Sequence, residues 1–203
     1  MSFNGCRKGK LIVFEGIDGT GKSTQIRLLS DYLTASGQTV VQSFEPTRGK
    51  WGKQLRDSAT TGRLSPEEEV ELFLKDRREH VEQLIAPALE RGDFVLLDRY
   101  YLSMMAYQSA RGINADEIRI ANEEFAPIPD AVIWLDIPIQ TALNRIGSRG
   151  AQDHFESEEH LTHCKQIFSS IHEPWMLRID GDASPELVSQ RVIEALKDFN
   201  VIS

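Results

Sequence analysis

Residues 11–24 read Leu-Ile-Val-Phe-Glu-Gly-Ile-Asp-Gly-Thr-Gly-Lys-Ser-Thr: an apolar run, a glycine-rich turn, and the opening of a helix-like segment. Positions 16–23 complete the pattern GxxxxGK[ST]. Leu11, Ile12, Val13 and Phe14 suit a buried strand, and Ile26, Leu28, Leu29 and Leu33 recur at helical spacing after the turn. Strand, loop and helix therefore follow in the order that a phosphate-binding loop requires. Gly16, Gly19 and Gly21 let the backbone curl so that successive N–H groups and the helix N-terminus converge on phosphate oxygens. Lys22 is placed to reach the β and γ phosphates, and Ser23 to offer its hydroxyl to Mg²⁺. A chance match of the four fixed positions somewhere in 203 residues is on the order of one in a hundred, so a plain glycine turn is a poor alternative.

Composition frames that site. A chain of 203 residues that is 40% hydrophobic is long enough to bury one core, and a single domain over 1–203 is expected. The net charge of −8 argues against a nucleic-acid partner, because such a surface repels a phosphate backbone. Cys6 and Cys164 make neither a disulfide framework nor a metal-ligand spacing, and read as unpaired thiols in a reducing, cytoplasmic setting. The basic Arg7, Lys8 and Lys10 precede an apolar stretch that Glu15 interrupts, too short for a signal segment. No run approaches membrane-spanning length, and no membrane association is expected.

Strand-like and helix-like segments alternate along the chain. Further strands are expected over 39–44, 93–98, 131–136 and 176–179, most of them apolar on both faces. That pattern demands a parallel sheet with helices on both sides, an α/β doubly wound, five-stranded architecture. The clearest helix opens at Ser65-Pro66-Glu67-Glu68, where Ser65 caps, Pro66 fits the first turn and Glu68 completes a capping box. It is expected to run to about residue 90, before Gly92, with a break near Pro87.

Ligands of open parallel sheets bind outside the carboxyl ends of the strands, where Glu45, Asp98 and Asp136 fall. Asp136 reads as an ordinary strand-end ion pair. Asp98 followed by Arg99 reads as an acid that organises Mg²⁺ and its water beside a phosphate-binding fork.

With these residues in place, the chain resembles the thymidylate kinase family of phosphate-loop nucleoside monophosphate kinases. The likeness runs through GIDGTGKST, FEPT, FLKDR, DRYYLSMMAYQ, PDAVIWLD and RGAQDHFE, most of the sequence. It implies phosphorylation of dTMP to dTDP, within dTTP biosynthesis, with ATP and Mg²⁺, by a cytoplasmic homodimer. It assigns Asp18 to the deoxyribose 3′-hydroxyl or the metal–water network, and places it with Gly16, Gly19, Thr20, Gly21, Lys22, Ser23, Thr24 and Arg145 around ATP. Phe73 would stack on thymine and Arg77 hydrogen-bond to it; being four apart on a helix, they share one face. Arg99 would hold the acceptor phosphate, helped by Arg48 or Arg56, with Tyr107 beside the sugar and Gln108 bordering the base.

The resemblance places a mobile lid at about 145–156. Gly19 stands where one branch of the family has a catalytic arginine in the phosphate loop, so the charge must come from elsewhere; Arg149 matches the lid arginine of the other branch. The assigned catalytic set is Lys22, Arg149, Asp98 and Asp18, with Ser23 and Asp98 as metal-site residues. Asp153 and Glu156 either anchor the lid or cap the next helix, and residues 180–183 lie by position near adenine. Two departures stand out: Met104 and Met105 follow Ser103 where the family commonly has a small hydrogen-bonding residue, and Gly147 replaces a middle lid arginine found in some relatives. Two alternatives remain at this level. One is a deoxynucleoside kinase with Glu45 as base; the other is a phosphate-loop ATPase switch, against which the DRY, FLKDR and lid motifs would lack a purpose.

Overall fold

A computed structural model describes residues 8–147 and 158–203. Five parallel strands, β1 (Lys10–Glu15), β2 (Val40–Phe44), β3 (Phe94–Asp98), β4 (Ala131–Asp136) and β5 (Met176–Asp180), form one sheet in the order β2-β3-β1-β4-β5. The first strand, β1, lies at the centre, and its side chains alternate between two cores. Ile12 and Phe14 join Ile26, Leu29 and Leu33 of α1 (Lys22–Ala35) and Val188, Val192 and Leu196 of α9 (Pro185–Asp198). Leu11 and Val13 face the other way, onto α5 (Tyr101–Ser109), α8 (Glu158–Ser170) and the long segment after residue 65. Burial on both faces is why these strands read as continuous apolar runs. The edge strands β2 and β5 are only partly buried, which accounts for Gln42, Ser43 and Arg178 within them.

The long segment forms the expected capping box: Ser65 Oγ accepts from Glu68 N–H at 3.2 Å and Glu68 Oε2 from Ser65 N–H at 3.0 Å. It does not break at Pro87. The helix α3 (Pro66–His80) widens into a π turn, Val81–Ile85, and continues as α4 (Ala86–Arg91) to Gly92. A proline lacks the N–H of a regular turn, and a wider turn just before it shifts the hydrogen-bond partners without ending the helix. The remaining helices are α2 (Lys50–Thr61), α6 (Ala115–Glu123) and α7 (Ile139–Gly147). Among the described residues no helix is long and apolar enough to cross a membrane.

Register sets the site. Phe14 pairs with Asp98, Phe44 with Asp98 and Glu15 with Trp134, so the residues that follow β1, β2 and β3 emerge together at one end of the sheet. Arg99 N–H donates to Phe14 O at 2.9 Å and Glu45 N–H to Asp98 O at 3.0 Å, extending the ladder into the loops.

Candidate active site

The loop after β1 curls over the N-terminus of α1. Gly21 caps that helix with a φ of 93° and no side-chain cap, leaving first-turn N–H groups for an anion. Gly19, at φ 81°, passes so close to α7 that a Cβ would lie 2.7 Å from Ala142 O. Lys22 is buried and folds back over the loop, its Nζ donating to Gly16 O at 3.2 Å and Ile17 O at 3.1 Å. Burial and the nearby Arg99 cation push its amine down to about 8, against the pull of Asp18, Asp98 and Glu15. Ser23 Oγ donates to Asp98 Oδ2 at 2.8 Å. Gly19, Gly21, Lys22, Ser23, Thr24 and Asp98 line a cavity of about 480 Å³. Thr20 instead turns inward, its hydroxyl bonded to Ile17 O at 3.1 Å, and Gly16 contributes its carbonyl to bracing.

A second cavity of about 270 Å³ adjoins the first, with Phe73, Arg77, Tyr107 and Gln108 in its wall. Asp18, Glu45 and Arg99 line both. Arg99 adopts a left-handed backbone, φ 70°, which aims its side chain back across the loop. Its guanidinium donates to Asp18 Oδ1 (2.7 Å), Ser103 Oγ (2.8 Å), Tyr107 Oη (3.2 Å) and Gly16 O (3.3 Å), and packs over the Tyr107 ring. Tyr107 in turn donates to Asp18 Oδ2 at 3.0 Å. Burial works to raise the Asp18 carboxyl, but the Arg99 and Lys22 cations outweigh it and hold Asp18 far below the usual carboxylate range. A strand-end cation is thus fixed where the two cavities meet.

Beneath it lies Glu15, which sequence reading took only as an interruption of an apolar run. It is fully buried, accepts Tyr100 N–H (2.8 Å), Ser103 N–H (3.0 Å) and the Ser103 hydroxyl, and so caps α5 from the end of β1. Burial raises its carboxyl above the ordinary value despite those bonds. A carboxylate directly closing the apolar run Leu11–Phe14 was the available signal. Asp76 was also missed: it accepts from Thr47 N–H (2.7 Å), Thr47 Oγ1 (2.6 Å) and Gly52 N–H (3.0 Å), pinning the loop after β2 onto α3. Nothing in the local pattern separates it from a solvated helix charge.

At the far end of the second cavity Arg77 is 1% exposed. Its Nε and Nη2 meet Glu45 Oε2 at 2.7 and 2.6 Å, its Nη1 donates to Asn122 Oδ1 and to Met104 Sδ (3.5 Å), and it packs over the Tyr100 ring. Glu45 Oε1 also meets His80 Nδ1 at 2.9 Å. Burial would raise the Glu45 carboxyl, but Arg77 and His80 prevail and lower it. Gln108 Nε2 donates to Glu69 Oε2 at 3.0 Å, while among the described residues its buried Oε1 has no hydrogen-bond partner.

The other expected residues are placed as follows. Arg48 lies over the Phe44 ring and does not line either cavity, whereas Arg56 lines the second and donates to Pro46 O at 2.9 Å. Arg145 reaches Gly19 O (3.4 Å) and Asp182 Oδ1 (3.9 Å), bridging the phosphate loop and the turn after β5. Asp136 is ion-paired with Lys165 (2.7 Å) and Arg178 (2.5 Å), the strand-end bridge expected of it. Arg149, Asp153, Glu156 and Cys6 lie outside the described residues.

Comparison with known proteins adds to this geometry. The profile of the family described as thymidylate kinase matches residues 14–192. A thymidylate kinase of Akkermansia muciniphila is 69% identical over 196 residues, covering 97% of this chain and 95% of that protein. Thymidylate kinases of Xanthomonas campestris pv. campestris and Xanthomonas oryzae pv. oryzae are 51% and 49% identical over 195 residues, covering 94% of this chain and 86% of theirs.

Proposed function

The chain belongs to the thymidylate kinase family, and from that premise we propose how its residues transfer the γ-phosphoryl group of ATP to the phosphate of dTMP, giving dTDP and ADP. The observation that carries the assignment is the pair of adjoining cavities, one under the phosphate loop and one under Phe73 and Arg77, with Arg99 in the wall of both. Donor and acceptor phosphates would meet at that arginine. In the acceptor cavity Phe73 stacks on the base, Arg77 donates to its O4 and Gln108 Oε1, which has no partner among the described residues, accepts from N3–H. Cytosine would set donor against donor and acceptor against acceptor at those two positions. Tyr107 and Asp18 border the sugar.

An oxygen of the acceptor phosphate attacks the γ-phosphorus as its bond to the ADP oxygen breaks. The acceptor is already an anion, so the protein needs no strong base; it aligns the groups and neutralises charge. The first-turn N–H groups of α1 and Lys22 hold the donor phosphates, Arg145 flanks the nucleotide, and Arg149, from the lid segment, supplies the cation for the transferring group. Ser23 and Asp98, hydrogen-bonded to each other in the wall of the donor cavity, would hold Mg²⁺ either directly or through water, and the ion would supply positive charge that offsets the phosphate charge. We further propose a cytoplasmic homodimer, as the family resemblance implies. Glu45 as a base for a nucleoside hydroxyl is disfavoured: Arg77 and His80 occupy its oxygens and keep it a poor proton acceptor.

The test is an ADP-release assay with Mg²⁺-ATP against dTMP, dUMP, dCMP, dGMP and thymidine, with products identified by chromatography. Selective formation of dTDP is expected. Activity on thymidine but not dTMP would return the chain to the nucleoside-kinase reading, and no transfer at all to a phosphate-loop ATPase.

A further inference from the structure

Arg77 carries base recognition only if its guanidinium is held in one orientation. A guanidinium offers five N–H donors in a plane, and two of the fixed contacts here run to Glu45, which the chain places next to Pro46 in the FEPT motif. The opposite edge is held by a residue that no motif contains. Asn122, in α6, is fully buried and accepts from Arg77 Nη1 through Oδ1. Its amide cannot turn round without loss: Nδ2 donates to Ile118 O at 2.7 Å and faces Met104 Sδ at 3.6 Å, and a flip would point its N–H groups at the guanidinium. The backbone beneath is fixed too, since Asn122 O accepts from Phe125 N–H at 3.1 Å and Ala126 N–H at 2.8 Å as α6 ends.

Met104 matters for the same reason. Where a hydroxyl could have met the base directly, this chain has a thioether that packs against Arg77 and Asn122 and is a weak acceptor at best. Beside Gln108, base discrimination then falls on how firmly Arg77 is aimed. We propose that Asn122 is a positioning residue for thymine selection: with Glu45 on the other edge, it leaves the guanidinium one presentable face, which suits a pyrimidine with an acceptor at position 4 and rejects one with an amino group there. This rests on the reading of the second cavity as the dTMP site.

The experiment compares wild-type protein with Asn122→Leu, which keeps shape without an acceptor, and Asn122→Asp, which keeps the acceptor. Each is measured for kcat and KM with dTMP and dCMP, and for thermal stability. For Asn122→Leu the expected result is a rise of about tenfold in KM for dTMP with kcat nearly retained, and a fall of similar size in the preference for dTMP over dCMP. Asn122→Asp should recover most of the preference, which a purely structural role would not predict. If Asn122→Leu does not fold, Asn122→Ala, which leaves space instead of adding apolar bulk, is measured in its place. Unchanged KM and preference in the folded Leu or Ala variant, whatever its stability, would overturn the proposal. Arg77→Gln separates this from failure of the premise: if it too leaves KM and preference untouched, Arg77 does not touch the base and the cavity assignment is what falls.

Discussion

Lys22 carries the sharpest quantitative consequence of this geometry. It is 6% exposed, and its amine falls from the ordinary 10.5 to about 8 because burial and Arg99 disfavour its charge. At ~1.4 kcal/mol for each pH unit, that fall means that holding the cation in the ligand-free fold costs about 3 kcal/mol at neutral pH. Replacing it by methionine removes the charge and keeps much of the apolar stem. The lost hydrogen bonds offset about 1 kcal/mol, since Gly16 O keeps Arg99 at 3.3 Å and Ile17 O keeps Thr20 at 3.1 Å. Lys22→Met should therefore stabilise the ligand-free protein by ~2 kcal/mol, a rise in Tm of roughly 4–8 °C, while transfer collapses. The sign with pH is fixed. Between about 8 and 10.5 the unfolded chain holds a proton on this lysine that the folded chain has released, so wild-type stability gains from rising pH across that window. The advantage of the variant should be largest below pH 8 and fade toward 10.5. Scanning calorimetry of both proteins from pH 7 to 10, with and without ATP, measures it; ATP should raise the wild-type Tm much more than that of the variant. A variant no more stable than wild type at pH 7 would refute the idea that this site stores the cost of a buried cation until phosphate arrives.

Three further outcomes are expected. Arg99→Ala should raise KM for dTMP by about two orders of magnitude, through loss of a charge-assisted phosphate contact and of the brace on Asp18 and Tyr107; steady-state kinetics reads it, and a normal KM contradicts the role. Arg149→Ala should lower kcat by ~10³ with dTMP affinity nearly intact, checked by kinetics and calorimetric binding; an unchanged kcat removes Arg149 from the catalytic set. Glu45→Ala strands the buried Arg77 cation and should destabilise the fold by about 3–5 kcal/mol, with dTMP affinity falling alongside, as urea titration and binding would show.

Much of the fold is local in origin and could be read directly. The β1–loop–α1 unit, the alternating strands and the Ser65 capping box each depend on residues within a few positions of one another, where pattern and dihedral preference decide. The π turn before Pro87 was less legible, because whether a helix ends or widens at a proline depends on what packs against it; here Val81, Ile85 and Leu89 belong to one core. The resemblance supplied roles for Asp18, Phe73, Arg77, Arg99, Tyr107 and Gln108, and these six fall around one cavity. It could not rank Arg48 against Arg56, a choice that turns on which side of the loop after β2 each guanidinium leaves; Arg56 lines the cavity and Arg48 lies over Phe44.

The sequence by itself therefore determined a phosphate loop, a parallel sheet to carry it, and the family whose chemistry it serves, since each is written in residues close along the chain or in ordered motifs. Tertiary structure alone decided how the site is aimed. Glu15 reaches Ser103 across 88 positions and Asn122 reaches Arg77 across 45, and a buried carboxylate or amide acquires its role only from the partner that folding brings to it. An unpartnered polar group in a core is too unfavourable to persist, so strand register and the placement of α6 choose those partners, and through them the direction in which Arg99 and Arg77 point.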